Sequence, residues 1–150
     1  TVSASFHGRD IFAPAAAHLA MGVPFEALGP ALDPADLVRL PWPGARAGDG
    51  WLETAVLYVD TFGNVKLGAL ANDFGQAFGR PTDRAGLQLA IAGRVVGVIR
   101  WADAFADVSP GEPLVYLDSY ERLCLAVNQG SAASRFRIAE DVAVTIRRVG

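Results

Sequence analysis

Three stretches follow one another along this chain, each with its own spacing of apolar and polar positions. From Asp10 to Met21 the apolar residues run nearly all round a helical projection. Alanine dominates, Pro14 falls in the first turn and Gly22 follows the last residue. This pattern predicts a well-buried helix with a glycine stop. Residues 23–50 are broken by Pro24, Pro30, Pro34, Pro41 and Pro43 and end in a glycine-bearing stretch from Gly44 to Gly50. They read as a connector with one helical turn near Pro34–Leu37, a loop before Trp51 and a boundary near residue 40.

From Trp51 onward the period changes to that of short strands. Leu52–Val59 and Asn64–Leu70 form one candidate pair around Gly63. Leu87–Ala92 and Val95–Ile99 form a second across Gly93-Arg94, and Leu114–Leu117 and Leu123–Val127 a third across residues 118–122. Val142–Arg147 alternates apolar and polar residues and makes a last strand, while Asn72–Phe78 and Ser131–Phe136 suit short helices. Many short strands with turn signals between them predict an antiparallel barrel or sandwich.

Composition narrows the choice. The chain has 150 residues, 51% of them hydrophobic, which suffices for a core in one mid-sized domain or a small pair. A net charge of −3 with scattered basic residues gives no electrostatic footprint for nucleic acid. The single cysteine, Cys124, rules out an internal disulfide and lies in an apolar run, as a small core residue would. That usage fits a reducing cytoplasm. No apolar run approaches the ~20 residues that span a bilayer, and the start lacks the basic and apolar regions of a leader. It also lacks an initiator Met, as in a processed, tag-cleaved or truncated chain.

Five segments hold candidate chemistry. In Phe6-His7-Gly8-Arg9-Asp10, His7 offers an imidazole able to trade protons, Gly8 lets backbone approach a ligand, and a helix N-terminus favours negative charge. The same residues also serve as an ordinary helix start. Asp60-Thr61-Phe62-Gly63-Asn64 combines turn residues with an Asn whose amide matches the edge of adenine. Trp101 and Phe105 stand in an acidic loop, where they suit stacking on a planar ring or packing at the core's rim. Ser119-Tyr120 and Val127-Asn128-Gln129-Gly130-Ser131 close the set, with Ser131 as a helix cap. No P-loop, dinucleotide fingerprint, nucleophile elbow or metal-ligand spacing is present, so neither a cofactor nor a metal is expected.

In order, FHGRDIFAPAAAHLA, YVDTFGN, FADVSPGE and DSYERLCLAVNQGSAA resemble the S-adenosylmethionine hydroxide adenosyltransferases, relatives of the fluorinating and chlorinating enzymes that use the same substrate. The resemblance runs from Phe6 to about Val144. It implies a mainly β fold: residues 1–40 as the helical end of an α/β N-terminal domain with its linker, and residues 41–150 as an antiparallel β-barrel C-terminal domain. It further implies a homotrimer with the site between subunits, and hydrolysis of S-adenosylmethionine to adenosine and methionine. Under the resemblance His7 belongs to an Asp-Arg-His triad whose other members lie upstream, with Gly8 beside it. Asp60 and Ser119 meet the methionine end, Phe62 and Phe105 flank the adenine, and Asn64 and Gln129 bind its edge. Tyr120 stands where halogenating relatives carry Arg, and Val-Lys-Leu-Gly after Asn64 departs from a Thr-Asn-containing run. Most of the N-terminal domain is outside this sequence, so the chain alone is expected to be inactive or nearly so. A halogenase, or a non-catalytic module binding S-adenosylmethionine or adenosine, are the rival readings.

Overall fold

Residues 51–59 alternate between half-exposed and buried, and that two-residue period is the signature of a strand with one face on a core. The computed structural model describes residues 2–39, 42–79 and 86–149. They belong to two compact units, 1–40 and 41–150.

The second unit is built of β1 (Arg46–Gly48), β2 (Trp51–Val59), β3 (Val65–Leu70), β4 (Gly86–Ile91), β5 (Arg94–Trp101), β6 (Pro113–Leu117), β7 (Arg122–Val127) and β8 (Ala143–Arg148). Their order is β1-β2-β3-β7-β6-β5-β4-β8, and β8 pairs again with β2. The strands from β2 to β8 therefore close into a seven-strand barrel, with β1 added to the start of β2. Closure removes the open edges that a flat sheet of this size would expose. Leu52, Val56, Val65, Leu67, Leu89, Leu123, Leu125, Val144 and Ile146 fill the interior, each at most 1% exposed. Helix α2 (Ala71–Phe78) packs on this core through Phe74 and Ala77, and Trp101 stacks on Phe74 with ring centroids 4.6 Å apart. Trp101 is thus a core-rim residue.

The strands and short helices fall where the alternation predicts them, with three differences. The barrel is not antiparallel throughout: β5 and β6 run parallel through Arg100↔Leu114 and Trp101↔Val115. The connection 102–112 returns the chain to the same end, which a tight hairpin cannot do. β1 lies inside the stretch that reads as a loop; it is only three residues long, too short to show a period, and the Asp49-Gly50 turn folds it onto β2. The hairpin joining β4 to β5 turns at Ala92-Gly93, one residue earlier than expected, because those two residues take the left-handed backbone.

The first unit holds helix α1 (Ala13–Ala20), preceded by a wider turn over Gly8–Phe12, and two short 3₁₀ turns at Phe25–Leu28 and Pro34–Asp36. Here the expected burial fails. No residue of α1 is buried, and Phe12 and Met21 are 67% and 83% exposed. An apolar helix is buried only where another surface meets it, and the rest of the first unit supplies none to this one. Residues 40 and 41, where the predicted boundary falls, lie outside the described residues. Among the described residues no helix is long and apolar enough to cross a membrane.

Candidate functional site

Two turns of the barrel are built alike. In Asp60-Thr61-Phe62-Gly63-Asn64, Asp60 Oδ1 accepts the N–H groups of Phe62 and Asn64, both at 2.9 Å. In Asp118-Ser119-Tyr120-Glu121-Arg122, Asp118 Oδ1 accepts those of Tyr120 at 2.9 Å and Arg122 at 3.0 Å. The fourth residue of each is left-handed, Gly63 at φ +83° and Glu121 at φ +56°. An Asp carboxylate that replaces the missing backbone acceptors is what sets these tight reversals.

The first turn also orders its own side chains. Asp60 Oδ2 accepts Nδ2 of Asn64 at 2.9 Å, which fixes the amide plane and leaves its oxygen for a ligand donor. Burial alone raises the Asp60 carboxyl. The amide and N–H of Asn64, the N–H of Phe62 and the charge of Lys66 outweigh it and hold the group below its ordinary value. Gly63 approaches the neighbouring segment so closely that a Cβ there would lie 2.1 Å from Ser131 Oγ and 3.0 Å from its Cα. The carbonyl of Gly63 accepts Ala133 N–H at 3.0 Å and ties the turn to helix α3 (Ala132–Phe136). Ser131 caps that helix, accepting Ser134 N–H at 3.1 Å.

A groove of about 670 Å³ lies between the Asp60 turn, the Phe105 loop and the segment after β7, lined by Phe62, Asn64, Phe105, Val127, Gln129, Gly130 and Ser131. Its volume suits a nucleoside-sized ligand. Phe62 is 78% exposed and Phe105 37%, so two aromatic faces stand open to a planar group. Phe105 is placed by its own loop: Asp107 accepts the N–H groups of Asp103 and Ala104, and Asn128 Nδ2 donates to Val108 O at 2.8 Å. Gln129 is left-handed at φ +54°, so its peptide groups turn out of the β7 ladder.

The groove therefore brings Phe62, Asn64, Phe105 and Gln129 together, with Asp60 directly behind them. It does not include Ser119 and Tyr120. β3 and β7 are antiparallel, with Val65↔Leu125 at the groove end and Leu70↔Arg122 at the other. Ser119 and Tyr120 lie beyond Arg122, and Leu125 to Arg122 is about 10 Å of strand. His7 and Gly8 belong to the first unit. His7 is exposed and makes no capping bond, and Gly8 has open space around it. The adjacent Arg9 and Asp10 pair with each other at 2.6 Å.

Between the two turns a row of side chains crosses the outer barrel face. Tyr58↔Lys66, Lys66↔Cys124 and Cys124↔Tyr116 are directly opposed on neighbouring strands. Asp118 folds back over this row, and its Oδ2 meets Lys66 Nζ at 3.2 Å and accepts from Cys124 Sγ at 3.6 Å. Cys124 is fully buried as expected, yet on the outer face under this carboxylate. Burial pushes its thiol up to about 11, so at neutral pH it is a donor. Burial tends to lower the Lys66 ammonium, but the facing groups of Cys124, Asp118 and Tyr116 outweigh it and hold it above the usual lysine range. Burial likewise raises Asp118, against the N–H groups of Arg122 and Tyr120 and the Lys66 ammonium, which leave it below its ordinary value. Lys66, Tyr116 and Asp118 stand beside the candidate residues without lining the groove, and sequence reasoning passed them over. The repeated Asp-(Thr/Ser)-aromatic spelling of the two turns is the signal that points to Asp118.

Residues 54–145 match the SAM hydroxide adenosyltransferase C-terminal domain, and residues 1–29 match the N-terminal domain of the same name. The chain is 45% identical over 133 residues to the (R)-S-adenosyl-L-methionine hydrolase of Salinispora tropica, covering 88% of this chain and 46% of that protein. It is 38% identical over 143 residues to the Thermus thermophilus protein of the same name, covering 95% and 49%. A fluorinase from Actinoplanes sp. is 30% identical over 149 residues, covering 96% and 49%. The chain thus spans about half the length of the curated relatives it matches. Among solved structures, an uncharacterized conserved protein from Thermotoga maritima superposes with a TM-score of 0.73 at 34% identity, over 99% of this chain and 54% of that one.

Proposed function

Because the chain belongs to the SAM hydroxide adenosyltransferase family, we propose that it is part of an enzyme hydrolysing S-adenosylmethionine to adenosine and methionine, with water or hydroxide attacking the ribose C5′ carbon. The observation that carries this reading is the groove uniting Phe62, Asn64, Phe105 and Gln129. Two aromatic faces, a side-chain amide locked by Asp60 and outward-turned peptide groups are what an adenine requires: stacking surfaces and edge donors and acceptors. The hydrolases at 38% and 45% identity support the same chemistry.

The barrel's contribution is binding and orientation. A sulfonium leaves readily without acid assistance, so the barrier lies in bringing a partly dehydrated oxygen nucleophile in line with C5′. In this reading Phe62, Phe105, Asn64 and Gln129 fix the adenosine half, and Asp60 holds Asn64 while facing the methionine side. Ser119 and Tyr120 receive the amino-acid end. His7 orders the nucleophile or takes its proton, with Gly8 leaving room for it. Residues 1–40 are then the end of an α/β N-terminal domain, which accounts for an apolar α1 with no buried residue. Residues 41–150 are the C-terminal domain, and the working form is a cytoplasmic homotrimer with its site shared between subunits and no cofactor.

Incubation with S-adenosylmethionine tests the proposal. Adenosine and methionine are followed by chromatography for this chain and for an upstream-extended form, with and without chloride. The expected result is adenosine from the extended protein and little or none from this chain. A chlorinated nucleoside would move the assignment to the halogenases, and ligand binding without turnover in either form would reduce it to a binding module.

A further inference from the structure

The ion pair between Lys66 and Asp118 is unlike the other pairs of the second unit. Both side chains are only 12% exposed, whereas Arg46–Glu53, Arg147–Glu53 and Arg148–Asp49 each have at least one partner more than half exposed. An exposed pair is screened by water and salt and contributes little, but a pair shielded from solvent restricts both of its ends. The two ends here are the elements that bear the separated halves of the candidate site. Lys66 lies two residues after Asn64 on β3, and Asp118 opens the turn that holds Ser119 and Tyr120.

The carboxylate of Asp118 is divided between two tasks. Oδ1 accepts the N–H groups of Tyr120 and Arg122 and so shapes the turn. Oδ2 reaches across β7 to Lys66 Nζ and covers Cys124. The turn's conformation and its attachment to β3 therefore depend on one planar group. The twin turn differs at this point: Asp60 spends its second oxygen on its own Asn64 and needs no partner on another strand. Lys66 also lies 5.7 Å over the Tyr116 ring, which packs at a tilt against Phe105 with centroids 5.3 Å apart. Phe105 has its own supports in Asp107 and Asn128, so its place in the groove does not rest on Lys66.

We propose that the Lys66–Asp118 pair is a positioning strut that fixes the Ser119–Tyr120 turn relative to the Phe62–Asn64 groove, so that a ligand long enough to reach both is held at both ends. The inference rests on the reading of the groove as an adenosine site. Adenosine engages one end only, whereas S-adenosylmethionine reaches along the row toward the other. Loss of the strut separates the two ligands, and general loosening of the barrel weakens both alike.

The test compares wild type with Lys66→Met, Lys66→Arg and Asp118→Asn, on this chain and on its upstream-extended form. Affinities for adenosine and S-adenosylmethionine are measured by calorimetry, and amide hydrogen exchange is followed at Tyr120 and Arg122, with Phe62 and Asn64 as internal controls. For Lys66→Met we expect S-adenosylmethionine to bind about tenfold more weakly, adenosine to stay within about twofold, and exchange to quicken at Tyr120 and Arg122 alone. Lys66→Arg restores both readouts, since it keeps the charge and reach. Equal losses for the two ligands, or unchanged exchange at Tyr120 and Arg122, would overturn the strut. If wild type in both forms binds neither ligand, the adenosine reading has failed and the exchange comparison still decides whether the pair holds the turn. Should Lys66→Met not fold, Asp118→Asn supplies the same comparison, because its amide oxygen retains the turn contacts while the charge is lost.

Discussion

Gly63 shows how much one position can decide. Its φ of +83° disfavours any side chain, and the space where a Cβ would sit is taken by Ser131. Left-handed backbone costs a non-glycine residue about 1–2 kcal/mol, and overpacking adds about 1–3. Gly63→Ala should therefore destabilise the barrel by about 2–5 kcal/mol in denaturant unfolding and widen the groove, because the Phe62–Asn64 turn must move off Ser131. The equivalent residue of the twin turn, Glu121, has the same backbone hand without being glycine. The Asp-Thr-Phe-Gly-Asn spelling makes this reversal legible from sequence. The contact with Ser131, far along the chain, is not, since nothing local to residue 63 records it.

At the scale of elements, the loop 102–112 positions Phe105 with little regular structure of its own. It is pinned to the segment after β7: Asn128 Nδ2 donates to Val108 O, Asn128 N to Glu112 O, and Gly111 N to Asn128 O at 2.7 Å. Asn128→Ala leaves Val108 O without its side-chain donor. The expected cost is about 1–2 kcal/mol in thermal or denaturant unfolding, together with weaker adenosine binding as Phe105 loses its fixed place. An unchanged adenosine affinity would mean that the loop holds Phe105 without Asn128. The strands were legible because period-two alternation follows directly from burial of one face. The parallel junction of β5 and β6 was not, because strand direction is set by where the 102–112 connection delivers the chain.

For the whole molecule, the pH dependence of stability follows from the two turn carboxylates. Asp60 and Asp118 are both held below their ordinary values in the folded state. The folded protein then binds fewer protons than the unfolded chain in the acid range, so stability rises with pH there. Their contribution is complete above the unfolded carboxylate value of about 4 and is lost as pH falls through the lower folded values. Urea unfolding between pH 2 and 6 should show this acid limb in wild type, and Asp118→Asn should flatten part of it. An identical limb in the variant would mean that other carboxylates set the acid stability.

The sequence alone determined the barrel's strands, the order of its motifs and the residue types of the candidate groove, because alternation, turn chemistry and short motifs are local properties of the chain. Tertiary structure decided the rest. Closure through β2 and β8 and the antiparallel register of β3 and β7 placed Phe62, Asn64, Phe105 and Gln129 in one groove and Ser119 and Tyr120 at the far end of the same strands. It also paired Lys66 with Asp118, 52 residues away, and left α1 without a buried residue despite its apolar composition. Each of these depends on which surfaces meet across long separations in sequence, and the residues themselves specify only that such surfaces must meet something.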